Sequence, residues 1–498
     1  MNDFKKGIGE EAWRGFADCS TGKEKMVRVF EETIHYDNMI SFCRRHRGVH
    51  CKIGNRFIVG SKNLVRIIQF DDGTKWVARL PLPRYDVYCG EGRAVSRLEA
   101  LRSEVAAMIF LESSTPIPVP RVYAFDDGTS GDIGAPCVFM EYMHGTPADI
   151  LLENGRGVFG GPKDDEYVLQ QLAILMVRIA QVRFDGIGSL YQDPRDGSFY
   201  VGRDVETGEG PFATPEEYYE ALCRYRQARY GRGISYDDSN IHGPEGTLPK
   251  MFLKYLPSFC KMQHDGPFSL VNTNLGAHSI LLDNNFRIVS MIDCDSIMTA
   301  PFHMAAQFPD IGPYGNFLPG ERLPPMTGCI GRGVYRRKAF VEYVWNQGLG
   351  SRVPKRSVAT GLAHAMVSDA AYYVQGLNDF KKRSWDWNTR WIRTYEFMYH
   401  SLCEDKLLDY KEPVVKDDGI IHTDGPDSRT EDPGYCEGPP SPIMDWSLPV
   451  RTRLGGFVQD SEQDSEQGSE QDSEQDSEQD SEQDLEQEQE LGQEQEQE

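Results

Sequence analysis

The sequence predicts an α+β protein of two lobes, a small antiparallel sheet carrying one helix and then a larger, mainly helical part, followed by a disordered acidic tail. Three observations predict it. Runs of β-branched and aromatic residues broken by turn residues fill the stretch from Ile53 to Leu80. Apolar spacing changes to a helical period from Val168 onward. The composition then shifts abruptly at Gln459, beyond which there are 18 acidic residues and no Lys or Arg. Without that tail the chain holds 59 acidic and 53 basic residues, so the low isoelectric point of about 4.9 mostly reports the tail.

The first 44 residues carry few signals and read as an N-terminal extension. Residues 45–145 form the small lobe. Arg56 to Phe70 reads as two strands broken at Gly60–Asn63, and Asp72-Gly73 is a hairpin turn before a third strand, Lys75 to Leu80. Leu98, Leu101, Val105, Met108 and Ile109 recur at three- and four-residue spacings, which predicts a helix. It stops before the Pro-rich Thr115–Val122, and two strands, VYAF and CVFMEY, flank Asp126-Asp127-Gly128.

Residues 146–410 form the larger lobe. Val168, Leu172, Leu175, Ile179 and Val182 make one apolar helical stripe, and FDGIGSLY after it reads as a loop. Phe268 to Asp295 is strand-like, turning at Asn284-Asn285. About three helices are expected from Arg336 to Leu408, leaving a mainly helical lobe with one small hairpin at its centre. Residues 411–458, rich in Pro, Gly and Asp, read as a linker. Residues 459–498 repeat Ser-Glu-Gln-Asp and then Glu/Gln; with almost no apolar surface to offset ordering entropy, this tail is expected to be disordered and dispensable for folding.

The charge balance excludes binding to nucleic acid by counterion release. No apolar run reaches the roughly 20 residues of a membrane span, and the N-terminus lacks the apolar core of a secretion signal. Eleven scattered cysteines without a CxxC pair argue for free thiols, no zinc site and a cytoplasmic location.

The segment SLVNTNLGAHSILLDNNFRIVSMIDCDSIMTAPFHMAAQFP, together with FDGIGSLY and the hinge-like FMEYMHG, resembles the aminoglycoside phosphotransferase and choline kinase-like family of the protein-kinase-like superfamily. Within that family it looks most like a branch found in filamentous fungi. The likeness spans roughly residues 50–400. It implies a kinase-like fold, a small-molecule ligand, and ATP and Mg²⁺ as cofactors.

That family places His-x-Asp, four residues and then Asn before a hairpin ending in Ile-Asp. Phosphoryl transfer is mostly positioning and charge neutralisation, which explains the residue types: an Asp to orient or accept the hydroxyl proton, and an Asn and a second Asp to hold Mg²⁺. Here the His position is Asn272, the base position is Asn274 and the first metal position is Ser279. The second metal position keeps its carboxylate as Asp293, with Asp295 two residues on. An amide accepts no proton as a carboxylate does, and serine reaches less far than asparagine. Read without catalysis, Asn272, Asn274 and Ser279 are a polar loop capping the hairpin, and Asp293 is a turn carboxylate. His264-Asp265-Gly266 has the wrong spacing to replace the loop.

In the small lobe the resemblance implies that Arg79 grips nucleotide phosphates, with Glu104 as its helix partner, and that Gly60 to Asn63 turns over the phosphates. The plain reading of the pair is a surface ion pair. Arg79→Ala is expected to remove nucleotide binding and leave the fold intact.

Three functional readings follow. The first is a family member with lost or very weak phosphotransfer that still binds a nucleotide or small molecule. The second is an active ATP-dependent kinase acting on a hydroxyl. The third is an interaction module whose acidic tail binds a basic protein. Substrate choice is assigned to the insertions at about 185–265 and 310–335.

Overall fold

The computed structural model describes residues 22–60, 62–83, 94–152, 159–230, 248–259, 266–311, 328–349, 357–380 and 390–398. The linker, the tail, His264 and Asp265, and most of the 310–335 insertion lie outside these residues.

Two helices precede the small-lobe sheet, α1 (Gly22–Glu32) and α2 (Tyr36–Arg47). Part of the expected extension therefore belongs to the small lobe. Val27, Phe30 and Ile34 fall three and four apart, Met39 and Cys43 repeat the spacing, and all five are buried. The α2 helix ends where Gly48 adopts φ +76° and its N–H bonds to Arg44 O at 2.7 Å, a left-handed stop that glycine adopts without strain.

The sheet strands are β1 (Cys51–Val59), β2 (Asn63–Phe70), β3 (Lys75–Pro81), β4 (Val122–Asp126) and β5 (Cys137–Glu141), in the order β1-β2-β3-β5-β4, all antiparallel. Alternation decides which face each residue serves. Leu64, Ile68 and Phe70 of β2 and Trp76, Ala78 and Leu80 of β3 join one core with α1 and α2. Arg79 points the other way, toward α3 (Arg97–Ser114). Ser96 caps that helix by accepting from Glu99 N at 3.2 Å. Leu101, Val105, Met108 and Leu111 bury its inner stripe in a second core, which is continuous with the larger lobe.

The larger lobe opens with the short β6 (Thr146–Pro147), α4 (Ala148–Leu152) and α5 (Pro162–Gln181), the last carrying the predicted stripe through Ile179. FDGIGSLY is not a loop. It contributes to β7 (Arg183–Phe184) and β8 (Gly188–Gln192), which with β9 (Phe199–Val201), β10 (Phe268–Asn272) and β13 (Ile297–Ala300) form a five-stranded sheet, β7-β10-β13-β8-β9. A second sheet, β12-β11-β6, holds β11 (Ile280–Leu282) and β12 (Ile288–Met291). The lobe is thus richer in strand than a single hairpin. Gly188 explains part of this: its φ of +157° and its approach to Gly202 O leave no room for a side chain. The helices α6 (Pro215–Tyr230), α7 (Leu248–Phe259), α8 (Phe302–Ala305), α9 (Gly328–Asn346), α10 (Val358–Met366) and α11 (Asp369–Asp379), and a further helix at 390–398, complete the lobe. No helix among the described residues is long and apolar enough to cross a membrane.

Candidate functional site

The site lies where β3 and α3 of the small lobe meet the loop after β10 and the turn after β12. Asn272 ends β10 and is buried. Its Nδ2 donates to Asp293 O at 3.2 Å and Met291 Sδ at 3.5 Å, while its Oδ1 accepts from Asn274 N at 3.0 Å. This one amide ties the loop to the backbone of Asp293. Asn274 itself is exposed.

Ser279 closes a 3₁₀ turn at Ala277–Ser279 and is fully buried. Its hydroxyl donates to Gly276 O at 2.8 Å and accepts from Gly276 N at 3.0 Å. The hydroxyl is thus engaged by the loop's own backbone, and Ser279 O accepts from Ile292 N at 2.8 Å. Gly276 has little choice of residue: a Cβ there would sit 2.7 Å from Asp310 O.

Asp293 and Asp295 follow Ile292. Burial pushes the Asp293 carboxyl upward and the Asp295 charge adds to it, against the opposing pull of Lys62 and Arg79. Asp295 accepts from Ser296 Oγ at 2.8 Å on one oxygen and from Lys62 Nζ at 2.6 Å on the other. Two adjacent carboxylates suit Mg²⁺, which commonly takes one or two of them and completes its shell with phosphates and water. No cluster of three His, Cys, Asp or Glu able to hold a metal occurs among the described residues.

Arg79 and Glu104 meet at 2.6 Å, and Arg79 Nη1 donates to Ile292 O at 3.4 Å. Burial disfavours the guanidinium charge, but Glu104, Asp293 and Cys294 outweigh it and raise its pKa. Between the two aspartates, Cys294 is buried, and burial pushes its thiol well above the usual range. Gly60 N donates to Asn63 O at 2.9 Å, closing the β1–β2 turn; a Cβ at Gly60 would meet only Asn63 O, at 3.8 Å. The glycine there is not forced by crowding.

Arg79, Glu104, Asp293 and Asn272 are therefore brought together, and Gly60 and Asn63 shape the turn that carries Lys62 to Asp295. Lys62 was not singled out from the sequence. Its signal was a cation inside the turn assigned to the phosphates. A cavity of about 730 Å³ lies apart, between α6 and α7, lined by Glu216, Cys223, Gln227, Lys250 and Leu256 among others. It falls within the expected substrate insertion but shares no residue with the Asp293 site.

A kinase-like small lobe with a buried Arg–Glu pair thus meets a loop and hairpin that lead to Asp293. Residues 56–304, half of the chain, match the phosphotransferase enzyme family, and the chain belongs to that family. It is similar to altered inheritance of mitochondria protein 9, mitochondrial, of Meyerozyma guilliermondii, with 30% identity over 118 residues, 22% of this chain and 19% of that protein. A subtelomeric hrmA-associated cluster protein of Aspergillus fumigatus is 28% identical over 132 residues, 26% of this chain and 23% of that protein. The matches span about a fifth of the length of these curated relatives. Among solved structures, macrolide 2'-phosphotransferase MphH of Brachybacterium faecium shares 16% identity at a TM-score of 0.36, covering 72% of this chain and 98% of that one. A thermostable mutant of aminoglycoside phosphotransferase APH(4)-Ia, in ternary complex with AMP-PNP and hygromycin B, shares 15% at 0.39, covering 73% and 98%.

Proposed function

We propose that this protein is a phosphotransferase-fold member that binds a nucleotide, with Mg²⁺ as an accessory ion, and transfers phosphate very slowly or not at all. One observation carries the reading: the residue at the exposed base position is Asn274, an amide with no carboxylate to accept the hydroxyl proton. Ser279 supports it, since its hydroxyl is bonded to Gly276 on both sides. The paired Arg79 and Glu104 support retained nucleotide binding. Thermal-shift titration with ATP, with and without Mg²⁺, tests binding, because a ligand at 100 times its Kd stabilises by about 2.7 kcal/mol. An unshifted melting temperature at millimolar ATP would remove nucleotide from the reading.

The second reading, an active small-molecule kinase acting on a hydroxyl, is favoured by the Arg79–Glu104 pair together with the Asp293 and Asp295 carboxylates. ATP-dependent phosphorylation of aminoglycosides or choline-like alcohols by the unmodified protein would establish it.

The acidic tail suits a basic protein partner, a role that deletion of residues 459–498 and a pull-down against basic peptides would test. We read the protein as cytoplasmic and independent of nucleic acid and membranes. The similar yeast proteins are mitochondrial by name, so cell fractionation with a mitochondrial marker decides between the two compartments.

A further inference from the structure

The turn between β1 and β2 does more than pass over the site. Lys62 O accepts from Leu82 N at 2.8 Å, and Gly60 N bonds to Asn63 O at 2.9 Å on the other side of it. The turn that carries Lys62 is thus closed on itself, and its Lys62 carbonyl is held just past the end of β3. Its side chain reaches 233 residues along the chain to Asp295, at 2.6 Å. The two ends differ in character: the Lys62 side chain is 42% exposed, while that of Asp295 is 7% exposed. The other Asp295 oxygen is bonded to Ser296 Oγ at 2.8 Å. Asp293 also lies within the field of the Lys62 ammonium.

We propose that Lys62 is a tethered cation for the Asp293–Asp295 pair and takes the place there of a divalent ion. A divalent ion must displace an ammonium already at hydrogen-bond distance and must enter against its charge. Because Lys62 is partly exposed, the displacement is a competition and not an absolute block. The affinity of the pair for divalent ions is therefore set by a small-lobe residue outside the catalytic loop and hairpin.

The test uses Mn²⁺ alone, followed by electron paramagnetic resonance on the full chain without nucleotide. Lys62→Met and Lys62→Gln should each bind Mn²⁺ about two- to fivefold more tightly than the natural protein, the scale expected for one partly exposed ion pair. Lys62→Arg should keep the weak natural affinity. Adding Asp295→Asn to Lys62→Met should abolish the gain. Both neutral variants sit in a partly exposed turn, and melting curves confirm that each is folded. Equal affinity in the natural protein and both neutral variants, or a gain that survives Asp295→Asn, overturns the proposal. Because no nucleotide is present, the outcome is independent of whether nucleotide binding or phosphotransfer survives.

Discussion

Arg79 of β3 and Glu104 of α3 are joined at 2.6 Å, with their side chains only 8% and 9% exposed. The pair is buried, and this changes what its removal does. A surface pair contributes about 0–1 kcal/mol, whereas breaking a buried pair strands a charge away from water. Arg79 also donates to Ile292 O, the residue before Asp293, so it links strand, helix and site.

The expectation that Arg79→Ala leaves the fold intact is therefore replaced. Arg79→Ala and Glu104→Ala should each cost about 3 kcal/mol, because each leaves an uncompensated buried charge. The double change Arg79→Met with Glu104→Leu should cost less than the two single losses added together, by about 1–3 kcal/mol, the coupling expected of contacting residues. Urea denaturation at neutral pH measures all of them. Single losses under about 0.5 kcal/mol would mean the pair behaves as a surface one. Nucleotide binding at Arg79 is best read in Arg79→Lys, which keeps the charge.

Acid should destabilise the protein through His303. This residue is buried in α8, and burial lowers its imidazole pKa from 6.5 to about 4. The unfolded chain takes up a proton at about 6.5 that the folded one refuses until about 4. The contribution is fully present above 6.5, is lost progressively as pH falls below 6.5, and is gone once pH has fallen through about 4. Its full size is on the order of 3 kcal/mol. Melting temperatures from pH 7.5 to pH 4.5 should fall less steeply in His303→Gln than in the natural protein. Parallel pH profiles would show that His303 is not the group responsible.

Much of the small lobe was legible because its turns carry their own chemistry. At the β2–β3 turn Asp72 accepts from Thr74 N at 3.0 Å and Gly73 takes φ +83°, as an Asp-Gly hairpin requires. Arg79, Glu104 and Asp293 were legible because a motif fixes their spacing. The strands β7 to β9 were not, being two to five residues long and interrupted by glycine. Strand β13 is buried on both faces and shows no alternation. The Lys62–Asp295 contact joins residues 233 apart, and no local pattern encodes such a pairing. The engagement of the Ser279 hydroxyl by Gly276 depends on the turn's backbone path, which residue type alone does not specify.

The strongest test of lost catalysis is to rebuild the loop, and the structure ranks its three positions by cost. Asn274 is exposed and only its backbone N–H is bonded, to Asn272 Oδ1, so Asn274→Asp should leave the melting temperature within a degree or two. Asn272 uses both ends of its amide, and a neutral imidazole also offers one donor and one acceptor. Asn272→His should therefore fold with a modest loss. Ser279→Asn forces a longer side chain into a fully buried position and breaks the exchange with Gly276, at about 1–3 kcal/mol. A general base alone is worth about 10²–10⁴ in rate, and the effects of residues serving one transition state do not simply add. Asn274→Asp alone should give a trace of Mg²⁺-dependent ATP turnover. The triple change should give more, despite a lower melting temperature. ADP release followed in a coupled assay reads both. A natural protein as fast as the triple variant would sink the proposal of lost catalysis. A folded triple variant with no turnover would mean that the base and metal positions are not what the site lacks, and would shift the reading to a binding module.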